Sequence, residues 1–267
     1  MSAEEVLFYY QDEAQMTRGD LHLFKAPAWL NDRCINFYFR VLEHEEFAGR
    51  PDLLFLDPVV VSCMLIQCTD EEDLKELAGG LRLDTRSIVF IPINDAEEFF
   101  SGCTHWSLLV FCTGGKGEGK SGSFFHFDSS CGRNESAAMK TAAQFWRMFT
   151  ILEGRDVIAG RQCPRVDAIN DCPQQENGYD CGMYLLGMTK YVAHLFVTQG
   201  SGVATRRGSV AKEGENDEGS GTCSVAGGKG SRLDTTGLGA HVSSDAMGEL
   251  RRRIAQKIEQ LAGRVSP

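Results

Sequence analysis

Cys181 is the residue whose setting points most directly to chemistry. The stretch 171–196, DCPQQENGYDCGMYLLGMTKYVAHLF, opens as a turn-rich loop containing Pro173 and Asn177-Gly178. It then becomes an apolar run with no polar face before Thr189-Lys190, the pattern of a buried helix. Cys181 therefore stands where a loop enters a helix N-terminus. Free backbone N–H groups and the positive end of the helix dipole favour a thiolate there, and a neighbouring imidazolium would add to the effect. Taken alone, such a cysteine is more often a small buried hydrophobe. The assignment rests on what else the chain supplies.

A nucleophilic thiol needs a base within hydrogen-bond reach and a third group to orient that base. The chain has six histidines. His44 and His241 lie in polar stretches and His22 in an N-terminal segment. His194 falls more than three turns along the helix from Cys181, out of reach. His105 and His126 remain, both on expected strands, in HWSLLVFC (105–112) and SFFHFD (123–128). His105 begins its strand beside a loop, where functional residues collect. His126 is mid-strand, the position of a satisfied structural histidine. Alternation puts Phe124, His126 and Asp128 on one face. If the two strands form a hairpin, its open end sets His105 beside Asp128, which is the physical reason to pair these two. Otherwise Asp128 reads as a turn-initiating residue before Ser129-Ser130.

Acyl transfer also requires donors for a developing oxyanion. The Cys181 backbone N–H is one. A side-chain amide from Gln174 or Gln175, in the loop just before, is a second.

The elements that must position these groups can be read in order. Val6–Tyr10 and Leu21–Phe24 are short apolar pieces, expected as strands or surface-hugging segments. Asn31 or Asp32 caps a helix with Ile35, Tyr38, Phe39 and Leu42 on one face, ending near Glu46. Asp57-Pro58 starts a second helix carrying Val61, Met64, Leu65 and Cys68. Thr69-Asp70-Glu71-Glu72 reads as a capping box for a short helix stopping at Gly79-Gly80. Ser87–Asn94 is a strand, followed by the two strands above and their glycine-rich connection, 113–122. Glu135–Glu153 is helical, with Phe145, Trp146, Phe149 and Leu152 on one face, and 156–169 holds one more short strand. Residues 198–242 are rich in Gly, Ser, Thr and charge, and read as a flexible insertion. A basic amphipathic helix, 243–261, then places Leu250, Ile254, Ile258 and Leu261 on a stripe that closes the domain. The domain reading is thus a catalytic unit over 1–197, an insertion over 198–242 and a completing helix within 243–267.

Composition narrows the classes. A net charge of −10 argues against nucleic-acid binding. No apolar run approaches bilayer-spanning length, so no membrane association is expected. The acidic N-terminus shows no signal-peptide pattern, which leads to an expected cytoplasmic or nuclear location. None of the ten cysteines forms a Cys-x-x-Cys pair and none has zinc spacing. They read as free thiols, one of them reactive, with neither metal nor cofactor required.

PQQENGYDCG, taken with THWSLLVF and FFHFDS, resembles the sentrin-specific or Ulp-type cysteine proteases, papain-like enzymes of clan CE. WLND (29–32) matches a further signature, and the order His…Asp…Cys is the family's. The resemblance spans about residues 20–196. It implies an α+β papain-like fold with a central mixed sheet flanked by helices. It implies His105 as base, Asp128 as its orienter, Cys181 as nucleophile and Gln175 as oxyanion donor. It also puts Trp29, Asp32 and Trp106 on the substrate side, the two tryptophans walling a narrow tunnel for a Gly-Gly tail.

Within the family, WLND, IQCT, INDAEEFFSGCTHWSLLVF and NGYDCGMY are most similar to the deneddylase branch. The implied reaction is hydrolysis of the bond after the terminal Gly-Gly of a Nedd-type modifier, in its precursor or on target lysines, with cullins among the conjugates and a monomeric enzyme. The alternatives are a SUMO- or ubiquitin-specific sister enzyme, or a catalytically silent module that binds the modifier. Two departures, the long 113–122 connection and the 198–242 insertion, touch no motif residue.

Overall fold

The structure is a computed structural model that describes residues 2–95, 104–113, 122–152, 163–198, 233 and 235–265. The glycine-rich connection 114–121, the expected helix stop at Gly154 and most of the 198–242 insertion lie outside these residues.

Two strands, β1 (Val6–Tyr10) and β2 (Ala14–Thr17), form an antiparallel hairpin. A helix α1 (Arg18–Lys25) follows. This corrects the reading of Leu21–Phe24 as a strand or surface segment. Thr17 accepts the Asp20 N–H while Asp20 accepts the Thr17 N–H, a reciprocal cap that commits the segment to helix. Helix α2 (Asp32–Val41) is capped by Asn31, whose side chain accepts from the Cys34 N–H, and runs on as a π-turn through Glu46. After β3 (Leu53–Phe55), Asp57 caps α3 (Pro58–Ile66), with proline in the first turn, where its fixed φ suits the helix and its missing N–H costs nothing. Asp70, rather than Thr69, caps α4 (Glu71–Leu81). That helix passes through Gly79-Gly80 and ends at Arg82, which adopts the left-handed conformation.

The main sheet has five strands in the order β3-β4-β5-β6-β7, where β4 is Ile88–Asn94, β5 Trp106–Thr113, β6 Gly122–Phe127 and β7 Val166–Ala168. β4, β5 and β6 are antiparallel neighbours, and the two edge strands pair in parallel. The sheet is therefore mixed. Helices cover both faces, which explains why the middle strands are apolar throughout rather than alternating. Ile88, Phe90, Leu108, Val110, Phe125 and Phe127 face the layer built from α2, α6 (Cys181–Thr198) and α8 (Ser244–Val265). Val89, Ile91, Leu109, Phe111 and Phe124 face α3, α4 and α5 (Glu135–Leu152).

Helix α6 is buried along most of its length, as an apolar helix must be. A Cβ at Gly187 would come within 2.6 Å of the Met247 sulfur, so α6 and α8 pack closely here and a larger residue would make the Met247 side chain shift. Three apolar residues within 233–242 are buried, although composition gave the whole of 198–242 the character of an insertion. Leu233, Leu238 and Val242 are core residues, Leu238–His241 forms the short helix α7, and Thr235 Oγ1 donates to Asp171 at 2.9 Å.

Candidate active site

The site lies where the open end of the β5–β6 hairpin meets the start of α6. The register pairs Leu108 with Phe127. His105 precedes β5 by one residue and Asp128 follows β6 by one, so both stand just beyond the paired ladder. His105 Nε2 donates to Asp128 Oδ1 at 2.6 Å. A carboxylate only accepts, so the proton is on Nε2 and the other ring nitrogen is left for the Cys181 sulfur, to which His105 also hydrogen-bonds. Cys181 is the first residue of α6 and is 2% exposed. The structure brings the three sequence-predicted groups together.

Electrostatics follow from the packing. Burial disfavours a charged His105, but Asp128 and Cys181 more than offset it and raise the imidazole to about 9. Burial likewise opposes a charged Asp128. The His105 bond and the backbone N–H groups of Asn134 and Ser130, at 3.0 and 2.9 Å, hold its carboxyl below the usual range all the same. His126 behaves as the structural histidine its mid-strand position suggested. Its Nε2 meets Ser107 Oγ at 3.0 Å, and burial lowers its pKa. Cys172 is pushed up to about 12 by burial and stays a thiol at neutral pH.

The motif loop before Cys181 is organised by its own side chains. Asn177 Oδ1 accepts from the N–H groups of Tyr179 and Asp180, and its amide donates to Asp180 Oδ2 at 2.7 Å. The two glutamines do different work. Gln174 Nε2 donates to the carbonyls of Asp128 and Cys172, at 3.0 and 2.9 Å, while its oxygen accepts from the Cys131 N–H. Both of its amide hydrogens are occupied. Among the described residues, Gln175 Nε2 donates only to the Asn177 carbonyl, at 2.6 Å, which leaves its second hydrogen for another acceptor. The Cys181 N–H, in the first turn of α6, has no acceptor within the helix. These are the two donors an oxyanion would need.

The substrate-side residues divide. Trp29 is 50% exposed, and its indole N–H reaches across to the Gly178 carbonyl at 2.5 Å. Trp106 is only 2% exposed, whereas the expectation placed it as the second wall of a tail tunnel. As the first residue of a regular strand paired to Asn94, it turns into the α6-side core. There its N–H satisfies the Leu30 carbonyl at 2.8 Å, as a buried indole requires. It underlies the Trp29-Leu30 segment. A Cβ at Gly182 would sit 3.0 Å from Leu30 Cβ, so the nucleophile's helix and this segment are in direct contact. Asp32 opens α2 half-buried; burial, and then the charge of Asp57, raise its carboxyl.

Four supporting residues carried no recognised role in the sequence. Asp95 accepts the His105 N–H at 2.9 Å. Asn134 donates from its side chain to the His105 carbonyl at 3.2 Å, and so holds base and orienter together. Ser129 hydrogen-bonds Gln175. Arg251, from α8, donates to the carbonyls of Leu23, Ala26 and Ala28 and to Asp180. Asp95 and Asn134 each lie in a polar turn next to a motif, which was the available signal. Arg251 is one arginine in a basic helix and gave none.

Comparison with known proteins agrees with the geometry. The profile of the Ulp1 protease family, C-terminal catalytic domain, matches residues 28–203. The chain belongs to this family. Human sentrin-specific protease 8 is 30% identical over 199 residues, 73% of this chain and 85% of the relative. NEDD8-specific protease 1 of Arabidopsis thaliana is 29% identical over 201 residues, 74% and 80% of the two chains. Among solved structures, the SUMO protease Ulp1 with its catalytic cysteine oxidised to a sulfinic acid superposes with a TM-score of 0.61 at 17% identity, covering 98% of this chain and 90% of that one. The Ulp1 protease domain in complex with Smt3, the yeast orthologue of SUMO, gives 0.54 at 19% identity, over 73% and 78%. These likenesses confirm the Ulp1-type α+β fold. The protein is a cysteine protease of the class that acts on ubiquitin-like modifiers.

Proposed function

We propose that this protease hydrolyses the bond after the terminal Gly-Gly of a Nedd-type modifier, in its precursor and on modified lysines, cullins among them. The observation that carries the chemistry is the chain of contacts from Asp128 through His105 to Cys181 at a helix start. Cys181 attacks the carbonyl carbon as thiolate beside imidazolium. The oxyanion takes hydrogen bonds from the Cys181 N–H and from the second Nε2 hydrogen of Gln175. His105 protonates the departing amine, and a thioester remains. His105, now neutral, takes a proton from water, which attacks the thioester and frees Cys181. Asp128 stays ionised throughout and fixes the imidazole tautomer.

Modifier preference rests on relatives named for NEDD8 and on the sequence's likeness to that branch. The tail approaches beneath Trp29, with Asp32 at the neighbouring helix start as a contact for the modifier's body. Vinyl-sulfone derivatives of NEDD8, SUMO and ubiquitin provide the test. The NEDD8 probe is expected to label Cys181 fastest. Faster labelling by either of the others would reassign the enzyme to a sister specificity, and no labelling at all would make it a silent binding module.

A further inference from the structure

Gln175 presents a donor to the oxyanion only if its amide faces the right way. The two ends of a side-chain amide have nearly the same shape and opposite hydrogen-bonding character. Inverted, the same side chain would aim a lone pair at the developing negative charge.

Two contacts decide the orientation. The Asn177 carbonyl, 2.6 Å from one end, has no proton and so demands the NH2 group there. The other end, Oε1, lies 2.8 Å from Ser129 Oγ, whose hydroxyl must then donate. Ser129 is 2% exposed, and its carbonyl also accepts the Gln175 backbone N–H at 2.9 Å. The hydroxyl is buried and therefore meets its acceptor at a fixed position. Ser129 directly follows Asp128, so one short turn after β6 orients both the imidazole and the oxyanion donor.

We propose that Ser129 is a positioning residue that sets the polarity of the Gln175 amide. The inference rests on the reading of Gln175 as an oxyanion donor. With Ser129 in place, an inversion would lose the hydroxyl bond and set two acceptors against each other at Asn177. Without it, only the Asn177 contact opposes inversion.

The test compares Ser129→Ala, Ser129→Cys, Gln175→Ala and the double variant Ser129→Ala/Gln175→Ala on a modifier-amide substrate. Each is also titrated with the modifier's C-terminal aldehyde, whose adduct with Cys181 carries the oxygen that mimics the oxyanion. Gln175→Ala is expected to lower kcat by about a hundredfold. Ser129→Ala is expected to lower it on the order of tenfold with KM unchanged, the effect of one buried hydrogen bond. Ser129→Cys, a weaker donor, is expected to fall between. Aldehyde affinity should fall in step with kcat. Binding of intact modifier, measured in a Cys181→Ala background, should not change. In the double variant, loss of Ser129 should add nothing.

A Gln175→Ala enzyme within twofold of wild type would overturn the underlying reading of the oxyanion donor. A reduced Gln175→Ala enzyme beside an unaffected Ser129→Ala would overturn this inference alone. So would a Ser129→Ala loss that persists undiminished without Gln175, because the serine would then be acting through general packing. Thermal melts check that each variant folds, and if Ser129→Ala does not, Ser129→Cys carries the comparison.

Discussion

The guanidinium of Arg251 reaches Asp180 Oδ1 at 2.6 Å, and Asp180 is the residue directly before Cys181. Both side chains are 11% exposed. Removing one partner of such a pair strands the other charge away from water, which typically costs about 3–5 kcal/mol. Arg251→Met is therefore expected to lower unfolding free energy by roughly that amount. It should also reduce kcat/KM, since the same guanidinium holds the carbonyls of Ala26 and Ala28 just before Trp29. Urea unfolding and initial rates check both effects. An enzyme unchanged in either would mean that α8 is not what seats the nucleophile loop.

The cysteines should separate cleanly. Cys181→Ala is expected to abolish turnover while modifier binding survives, because the docking surface does not depend on the sulfur. Cys172→Ala should retain most activity per folded molecule, since its thiol is buried against Met188 and stays protonated. A dead Cys172→Ala beside an active Cys181→Ala would overturn the assignment.

His105 sets a pH dependence of definite sign. Its folded pKa is raised to about 9 from an ordinary 6.5. A raised pKa favours the folded state fully below the unfolded value, and that contribution is lost as pH rises through about 9. The imidazolium that protonates the departing amine is lost over the same range. The alkaline limb of kcat/KM should therefore lie near pH 9 and move toward neutrality in Asp128→Asn, which lacks the anion. A limb that stays in place would show that Asp128 does not tune the base.

The two tryptophans should respond in opposite ways. Trp106→Ala removes a core side chain and is expected to cost about 3–5 kcal/mol of stability. Trp29, half exposed, should leave the melting temperature within a few degrees when replaced by Ala, yet lower kcat/KM for a Gly-Gly substrate. Loss of its bond to Gly178 should at the same time speed alkylation of Cys181 by iodoacetamide. Melting temperature, kcat/KM and alkylation rate on the two variants decide the matter.

Leu238 offers a test of how far the core reaches toward the C-terminal helix. It is 1% exposed and packs in the α6-side core. Leu238→Ala is expected to destabilise by about 2–5 kcal/mol, measured by urea unfolding. A change below 0.5 kcal/mol, the scale of surface substitutions, would place it outside the core.

What could be read from the sequence was what neighbouring residues decide among themselves. Asn31 and Asp57-Pro58 cap helices with their own side chains, and the β5–β6 hairpin follows from two apolar runs joined by a glycine-rich stretch. The pairing of His105 with Asp128 came from that hairpin alone. What the sequence does not show lies where distant contacts decide. Leu21–Phe24 has no visible helical period, and its fate is set by the reciprocal Thr17–Asp20 cap upstream. Leu233, Leu238 and Val242 are too sparse among Gly and Thr to show a pattern, yet each finds a place in the core. The burial of Trp106 depends on the Leu30 carbonyl being there to receive its N–H. Gln174 and Gln175 are indistinguishable from residue type and position alone; the family resemblance picks out Gln175, and in the structure the two differ in how many amide hydrogens are occupied.

The dependence of the nucleophile loop on α8 also has a temporal side. During synthesis, Cys181 leaves the ribosome well before Arg251. In that interval the chain has its thiol, its imidazole and both glutamines, but lacks the cation that draws Asp180 and the Trp29 segment together. A nascent or prematurely terminated chain would thus carry every recognisable motif without an assembled centre.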